Sequence, residues 1–243
     1  QDYTKFLDAQ GMKGARIGIA RGFFGFHEKV DELMEDATRV FKELGATVVD
    51  PADIETRREY GGSGFEVLLY EFKADLNKYL AALDPSVAAH SLEELIEFNI
   101  ANKDREMPYF GQEIFERAQE KGDLSSPEYK AALKKILRLS RQEGIDATMK
   151  KHNVEAIVAP TGGPAWKTDW INGDHFTGGS SSPAARAGYP NITVPAGFVY
   201  GLPVGISFFS TAYNEPHLIK LAYAFEQATK HRQPPKFLLH AEI

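Results

Sequence analysis

Between Asp174 and Ser182 the chain carries Asp174, His175, Ser180, Ser181 and Ser182, the residue types of a carboxylate–imidazole–hydroxyl relay. Assembled, such a set lets the imidazole withdraw a hydroxyl proton while the oxygen attacks a carbonyl carbon. Their closeness argues against it, because adjacent Asp and His side chains diverge, whereas the imidazole must lie between carboxylate and hydroxyl. The strand-to-helix elbow G-x-S-x-G is also unmatched, since Gly178-Gly179-Ser180-Ser181-Ser182 lacks the closing glycine. The serines read instead as a helix N-cap plus hydroxyls that satisfy a loop.

The segment ahead of them has the composition of a site. From Thr161 to Gly179 it combines glycine and proline with Trp166, Asp169, Trp170, Asp174 and His175, so its aromatics can wall a pocket and its polar groups can orient a ligand. These five, with Ser180 and Ser181 after them, are the candidate substrate-binding residues. Tyr70 and Glu71, at the end of an apolar helical run, are added to them. No catalytic residue is assigned. The seven histidines are dispersed without an HxH or HxxxH pair, so no metal site is expected. Gly61-Gly62-Ser63-Gly64 has neither the Lys-Ser/Thr ending of a phosphate loop nor dinucleotide spacing and reads as a connector. No cofactor is expected.

The elements that must hold these residues follow from periodicity. Ile17 and Ile19 alternate about Gly18 in a short strand. Val30, Leu33, Met34, Ala37, Val40, Phe41 and Leu44 recur at three and four, which predicts a helix stopped by Gly45. A second strand follows at 46–50, giving a βαβ unit with a parallel strand pair. Helices are expected over 65–83, from the N-cap Ser91 towards Met107, over 109–121, and from the N-cap Ser126 to about Lys151. Residues 65–151 thus form a helical lobe. Glu155–Pro160 has the unbroken apolar centre of a buried central strand. Residues 182–187 form a short helix ending at Gly188. Asn191–Phe198 and Leu202–Phe209 read as strands, each with an internal proline that makes it an edge strand or bends it. The chain closes on an amphipathic helix, 215–230. The expected fold class is α/β, a mixed sheet flanked by helices, organised as a single α/β domain over 1–243.

With 243 residues, 43% of them hydrophobic, the chain can bury a core, and its net charge of −6 is spread rather than gathered into a basic face. Nucleic acid and anionic membranes are therefore not expected partners. No apolar run reaches the length of a membrane span, and the chain has no cysteine. A cytoplasmic location fits these features. Residue one is Gln rather than Met, from which the chain is expected to begin inside something longer.

The succession IVAPTGGPAW, GGSSSPAARAGYPNITVPAGF, GLPVGISFF and EQATKHRQPP resembles the C-terminal portion of the amidase signature family of serine hydrolases. KGARIGIARGFF, VVDPADI and LLYEFKADLNKYL resemble the family segments that precede it, so the likeness covers nearly the whole chain. It implies the C-terminal part of the family's α/β/α fold. It also implies a Ser–cis-Ser–Lys triad that cleaves carboxamide C–N bonds through an acyl-serine, with backbone amides holding the oxyanion. The family carries that triad on a lysine-bearing strand and a GGSSGGS-like loop, neither of which is in these residues. Gly178–Ser182 imitates the loop but lies ahead of AGYPNITVPAG, where the family has a pocket-forming stretch. The expectations are a scaffold and pocket wall, inactive alone, whose partners are a small amide substrate and the missing N-terminal half, with self-association when that half is absent. The rival expectations are a non-enzymatic domain binding a ligand or partner through residues 166–175, and a hydrolase using a serine among 180–182.

Overall fold

The computed structural model describes residues 2–237. Its elements are the strands β1 (Arg16–Ile19), β2 (Thr47–Val49), β3 (Ala156–Pro160), β4 (Asn191–Val199) and β5 (Leu202–Phe209). The helices are α1 (Glu28–Glu43), α2 (Gly61–Ala81), α3 (Leu92–Ala101), α4 (Lys103–Glu106), α5 (Glu113–Gln119), α6 (Pro127–Ser140), α7 (Asp146–His152), α8 (Ser182–Ala187) and α9 (Glu215–Thr229). The chain divides into two compact units, residues 1–58 with 138–243, and residues 59–137. No helix among the described residues is long and apolar enough to cross a membrane.

The first unit is a mixed five-stranded sheet in the order β2-β1-β3-β5-β4. β1 pairs in parallel with β2, as the βαβ pattern predicts, and also with β3, whereas β3–β5 and β5–β4 are antiparallel. Strand alternation sends successive side chains to opposite faces, and the core divides accordingly. Ile17, Ile19, Ala156, Val158, Ile206 and Phe208 meet Met34, Ala37 and Phe41 of α1 and Leu218, Leu221 and Phe225 of α9 on one face. Phe41, Phe208 and Phe225 form its centre, with ring centroids 5.4–6.2 Å apart. Ile157, Ala159 and Phe209 meet Ile145 and the α8 alanines Ala184 and Ala187 on the other. The sheet is thus flanked by helices on both faces.

Two details differ from the sequence expectation, and one agrees with it. β5 is interior, and its Pro203 is tolerated because it pairs with Phe198 of β4 while β3 engages only Ile206–Phe209. β4 is an outer strand and shifts register between Pro195 and Gly197, the bend anticipated for a proline-bearing strand. The helix expected to reach Lys151 is broken, since Arg141–Ile145 forms a π turn with Gly144 at φ −103°, ψ −106°. A Cβ at Gly144 would lie 2.5 Å from the Leu139 carbonyl oxygen, so only glycine closes this turn. Thr56 Oγ1 donates 2.7 Å to that carbonyl, a local substitute for the disrupted helical pairing.

The second unit is helical. Leu69 of α2, Leu92 of α3 and Ala118 of α5 are buried together, with Phe65, Phe72, Leu76, Ile96 and Phe115 packed around them. Here Gly61–Gly64 is not a connector but the first turn of α2, where Gly64 N–H already donates to Tyr60 O at 2.8 Å. A helix tolerates glycine best in its first turn, where intrahelical bonds are still incomplete. The helix expected over 109–121 is confined to Glu113–Gln119. Ser91 accepts from Glu94 N–H at 3.1 Å as the predicted N-cap, and the Glu94 carboxylate accepts from His90 N–H at 2.7 Å. Ser126, by contrast, turns its hydroxyl back to donate to Asp123 O at 2.7 Å.

Candidate functional site

The central strand β3 ends at Pro160, and the chain leaves and re-enters the sheet at nearly one point. Thr161 N–H donates to Gly205 O of β5 at 2.9 Å, Gly162 bridges Gly179, and Ser180 Oγ donates to Pro160 O at 2.7 Å. Phe26, on the exit from β1, closes this neck from the side. A Cβ on Gly178 would stand 2.5 Å from the Phe26 ring, and one on Gly179 would stand 3.0 Å from Thr161 O. The two glycines are therefore required by close approach rather than by flexibility. Residues 163–178 are held as a loop at the carboxyl ends of β1 and β3, the end of an open α/β sheet at which ligands bind.

The loop carries its own internal order. Trp166 Nε1 donates to Asp174 Oδ1 at 2.8 Å, and the Phe176 ring stands edge-on to Trp166, centroids 6.3 Å apart at 63°. Asp169 folds the tip, with Oδ1 accepting from Ile171 N–H and Asn172 N–H at 2.9 Å and Oδ2 from Asn172 Nδ2 at 2.9 Å. The bonds from Asn172, then Ile171, hold the Asp169 carboxyl below its ordinary range. Trp166, Trp170, Ile171 and Phe176 remain exposed, Ile171 at 92%. His175 is exposed as well. The loop is an apolar surface stiffened by two aspartates.

The serines have distinct placements. Ser180 is fully buried, its proton committed to Pro160 O. Ser181 is exposed at the N-cap position of α8, but its side chain makes no capping bond; backbone φ −67°, ψ −30° already lies in the helical region. An N-cap hydroxyl reaches its amide from extended backbone, which is why the expected cap is not made. Asp174 is paired with Trp166 rather than His175. Tyr70 and Glu71 belong to the helical unit, where Tyr70 is buried against Tyr129, centroids 5.6 Å apart, and the Glu71 carboxylate accepts from Tyr129 Oη at 2.8 Å. Burial first, and that bond second, push the Tyr129 hydroxyl above its ordinary value.

A further group was not singled out from sequence. Thr161 Oγ1 lies 2.6 Å from Thr193 Oγ1 and 2.8 Å from Ser207 Oγ, joining β3, β4 and β5 at the foot of the loop. Alternation within β4 and β5 hints that Thr193 and Ser207 each face one side, but only the strand register makes them opposite partners.

The Amidase family model matches residues 2–219. Over 242 residues the chain is 36% identical to the "Probable amidase" of Arabidopsis thaliana, covering 97% of this chain and 42% of that protein. It is 30% identical to a glutamyl-tRNA(Gln) amidotransferase subunit from Caldanaerobacter subterraneus, covering 97% of this chain and 49% of that protein. Among solved structures, a peptide amidase in complex with the competitive inhibitor chymostatin superimposes with a TM-score of 0.91 at 42% identity, covering 98% of this chain and 48% of that one. The chain spans about half the length of the relatives it matches. Its mixed sheet flanked by helices is the architecture of amidase signature structures, and the chain belongs to the Amidase family.

Proposed function

We propose that this chain is the C-terminal portion of an amidase signature hydrolase that cleaves carboxamide C–N bonds through an acyl-serine. The observation that carries the reading is the loop 163–178, necked at the carboxyl end of the central strand and presenting Trp166 and Phe176 on a base fixed by Asp174. In this reading Trp166, Asp169, Trp170, Asp174, His175, Ser180 and Ser181 build and stiffen one wall of the substrate pocket. Tyr70 and Glu71 remain substrate-binding candidates within the helical unit. The nucleophile, bridging serine and lysine lie outside these residues, so the chain alone is catalytically silent. The buried, donating hydroxyl of Ser180 supports that assignment, since a nucleophile must be reachable by its substrate. The amide enters from solution, no cofactor takes part, and the protein works in the cytoplasm.

The test is ammonia release from a C-terminally amidated dipeptide, with fluorophosphonate labelling in parallel. No labelling and no ammonia are expected from the chain alone, with release restored on co-expression with a family half carrying the triad. Labelling of Ser180, Ser181 or Ser182, lost on Ser→Ala, would overturn the reading. Without that half, β2 and β4 are the outer strands among the described residues, and the chain self-associates through them. Light scattering that finds only monomer at high concentration would refute this.

A further inference from the structure

The sheet face that carries Ile157, Ala159 and Phe209 changes character along its length. Under α8 it is apolar. Two residues on, Ala159 pairs with Ser207, Ser207 with Thr193, and Thr161 N–H bonds to Gly205 O, so hydroxyls replace hydrocarbon at the carboxyl end of β3. Gly205 makes room for them, because a Cβ there would stand 2.7 Å from Thr193 Oγ1 and 2.9 Å from Thr161 Oγ1.

One proton order gives each of the three hydroxyl contacts a donor. Thr193 Oγ1 donates its single proton to Ile206 O at 3.3 Å. Its 2.6 Å contact with Thr161 is then a bond that Thr161 donates. With that proton used, the 2.8 Å contact with Ser207 is one that Ser207 donates. In that order the relay runs Ser207 to Thr161 to Thr193 to Ile206 O, with each proton used inside the fold. That order leaves a ligand lone pairs rather than protons. Ser207 is 3% exposed and withdrawn, but Thr161 is half-buried and Thr193 exposed.

We infer that Thr161 and Thr193 form an acceptor site for the N–H of a neutral carboxamide ligand, beside the neck of the loop. Donors fit this floor, whereas an acceptor-only group such as a carboxylate meets lone pairs with lone pairs. A neutral donor suits it better than an ammonium, whose desolvation neutral hydroxyls offset poorly. The position is the carboxyl end of β3, which has a parallel neighbour on one side and an antiparallel one on the other. The choice of an amide as ligand rests on the proposed function; the acceptor character rests on the relay alone.

The probes are benzamide and benzoate, nearly equal in shape and opposite in hydrogen-bonding sense. With threonine methyls labelled, the full chain is titrated with each while the Thr161 and Thr193 resonances are followed. Benzamide is expected to shift both saturably and to bind about tenfold more tightly than benzoate, the size of one net hydrogen bond. Thr161→Val and Thr193→Val each remove that preference, and Thr161→Ser, which keeps the hydroxyl, retains it. Equal affinity for the two probes, no shift with either, or a preference that survives either valine variant overturns the inference. Ammonia release distinguishes the readings: a benzamide-selective floor in a protein that never hydrolyses amides, even when complemented, defeats the proposed function and leaves the relay standing.

Discussion

Replacing Ser180 with alanine removes a hydroxyl that is fully buried and donates 2.7 Å to the Pro160 carbonyl at the end of the central strand. The pairing of β3 with β5 does not use that carbonyl at this point, since the adjacent bond runs from Thr161 N–H to Gly205 O. The variant thus loses the net value of one hydrogen bond and strips a buried acceptor of its donor, together about 2 kcal/mol. The loss falls on the neck, so the loop should open before the sheet does. Both tryptophans of the chain, Trp166 and Trp170, lie on the loop, and their emission reports it selectively. In urea, Ser180→Ala is expected to move the emission transition to lower denaturant, ahead of the far-ultraviolet circular dichroism transition. An emission transition identical to that of the parent chain would refute the placement of Ser180 as the neck's tie.

Gly178→Ala brings a methyl against the Phe26 ring and should destabilise the chain by about 1–3 kcal/mol in denaturant unfolding, with Phe26→Leu recovering part of the loss. Gly144→Ala meets the Leu139 carbonyl, which cannot yield as a side chain can, and should lower the unfolding midpoint by about 2 kcal/mol or more, while Gly173→Ala makes no close contact and its cost is only that of its positive φ. Asp169 has a folded value lowered from 3.8, so its contribution to the loop tip is fully present above that value and is lost as pH falls through the lower, folded one. Trp170 emission should report loosening only in that acid range, and the step should vanish in Asp169→Ala.

The helices α1 and α9 and the strand β3 were legible because their signals are local. Apolar residues three and four apart share a helix face, and the unbroken run Ala156–Ala159, too short for a helix, suits a strand covered on both sides. Gly45 at φ 85° and Gly188 at φ 65° end their helices where a left-handed residue is needed, which sequence also signals. Gly61–Gly64 misled because glycine weakens a helix on average, whereas the cost is least in the first turn. The aromatic and acidic loop was recognisable from composition, but not its internal bond from Trp166 to Asp174 nor the burial of Ser180.

From the sequence alone follow the α/β class, the parallel βαβ unit, the family and the loop as the place to look for chemistry, since each is written in spacing or in motifs read along the chain. Sheet order, the interior position of β5, the closing of the neck on Phe26 and the hydroxyl relay belong to the tertiary structure. Thr161 meets Thr193 across 32 positions and Ser207 across 46, and no local propensity encodes such a meeting. Strand register sets it, and register is settled only when both faces of the sheet find their cores.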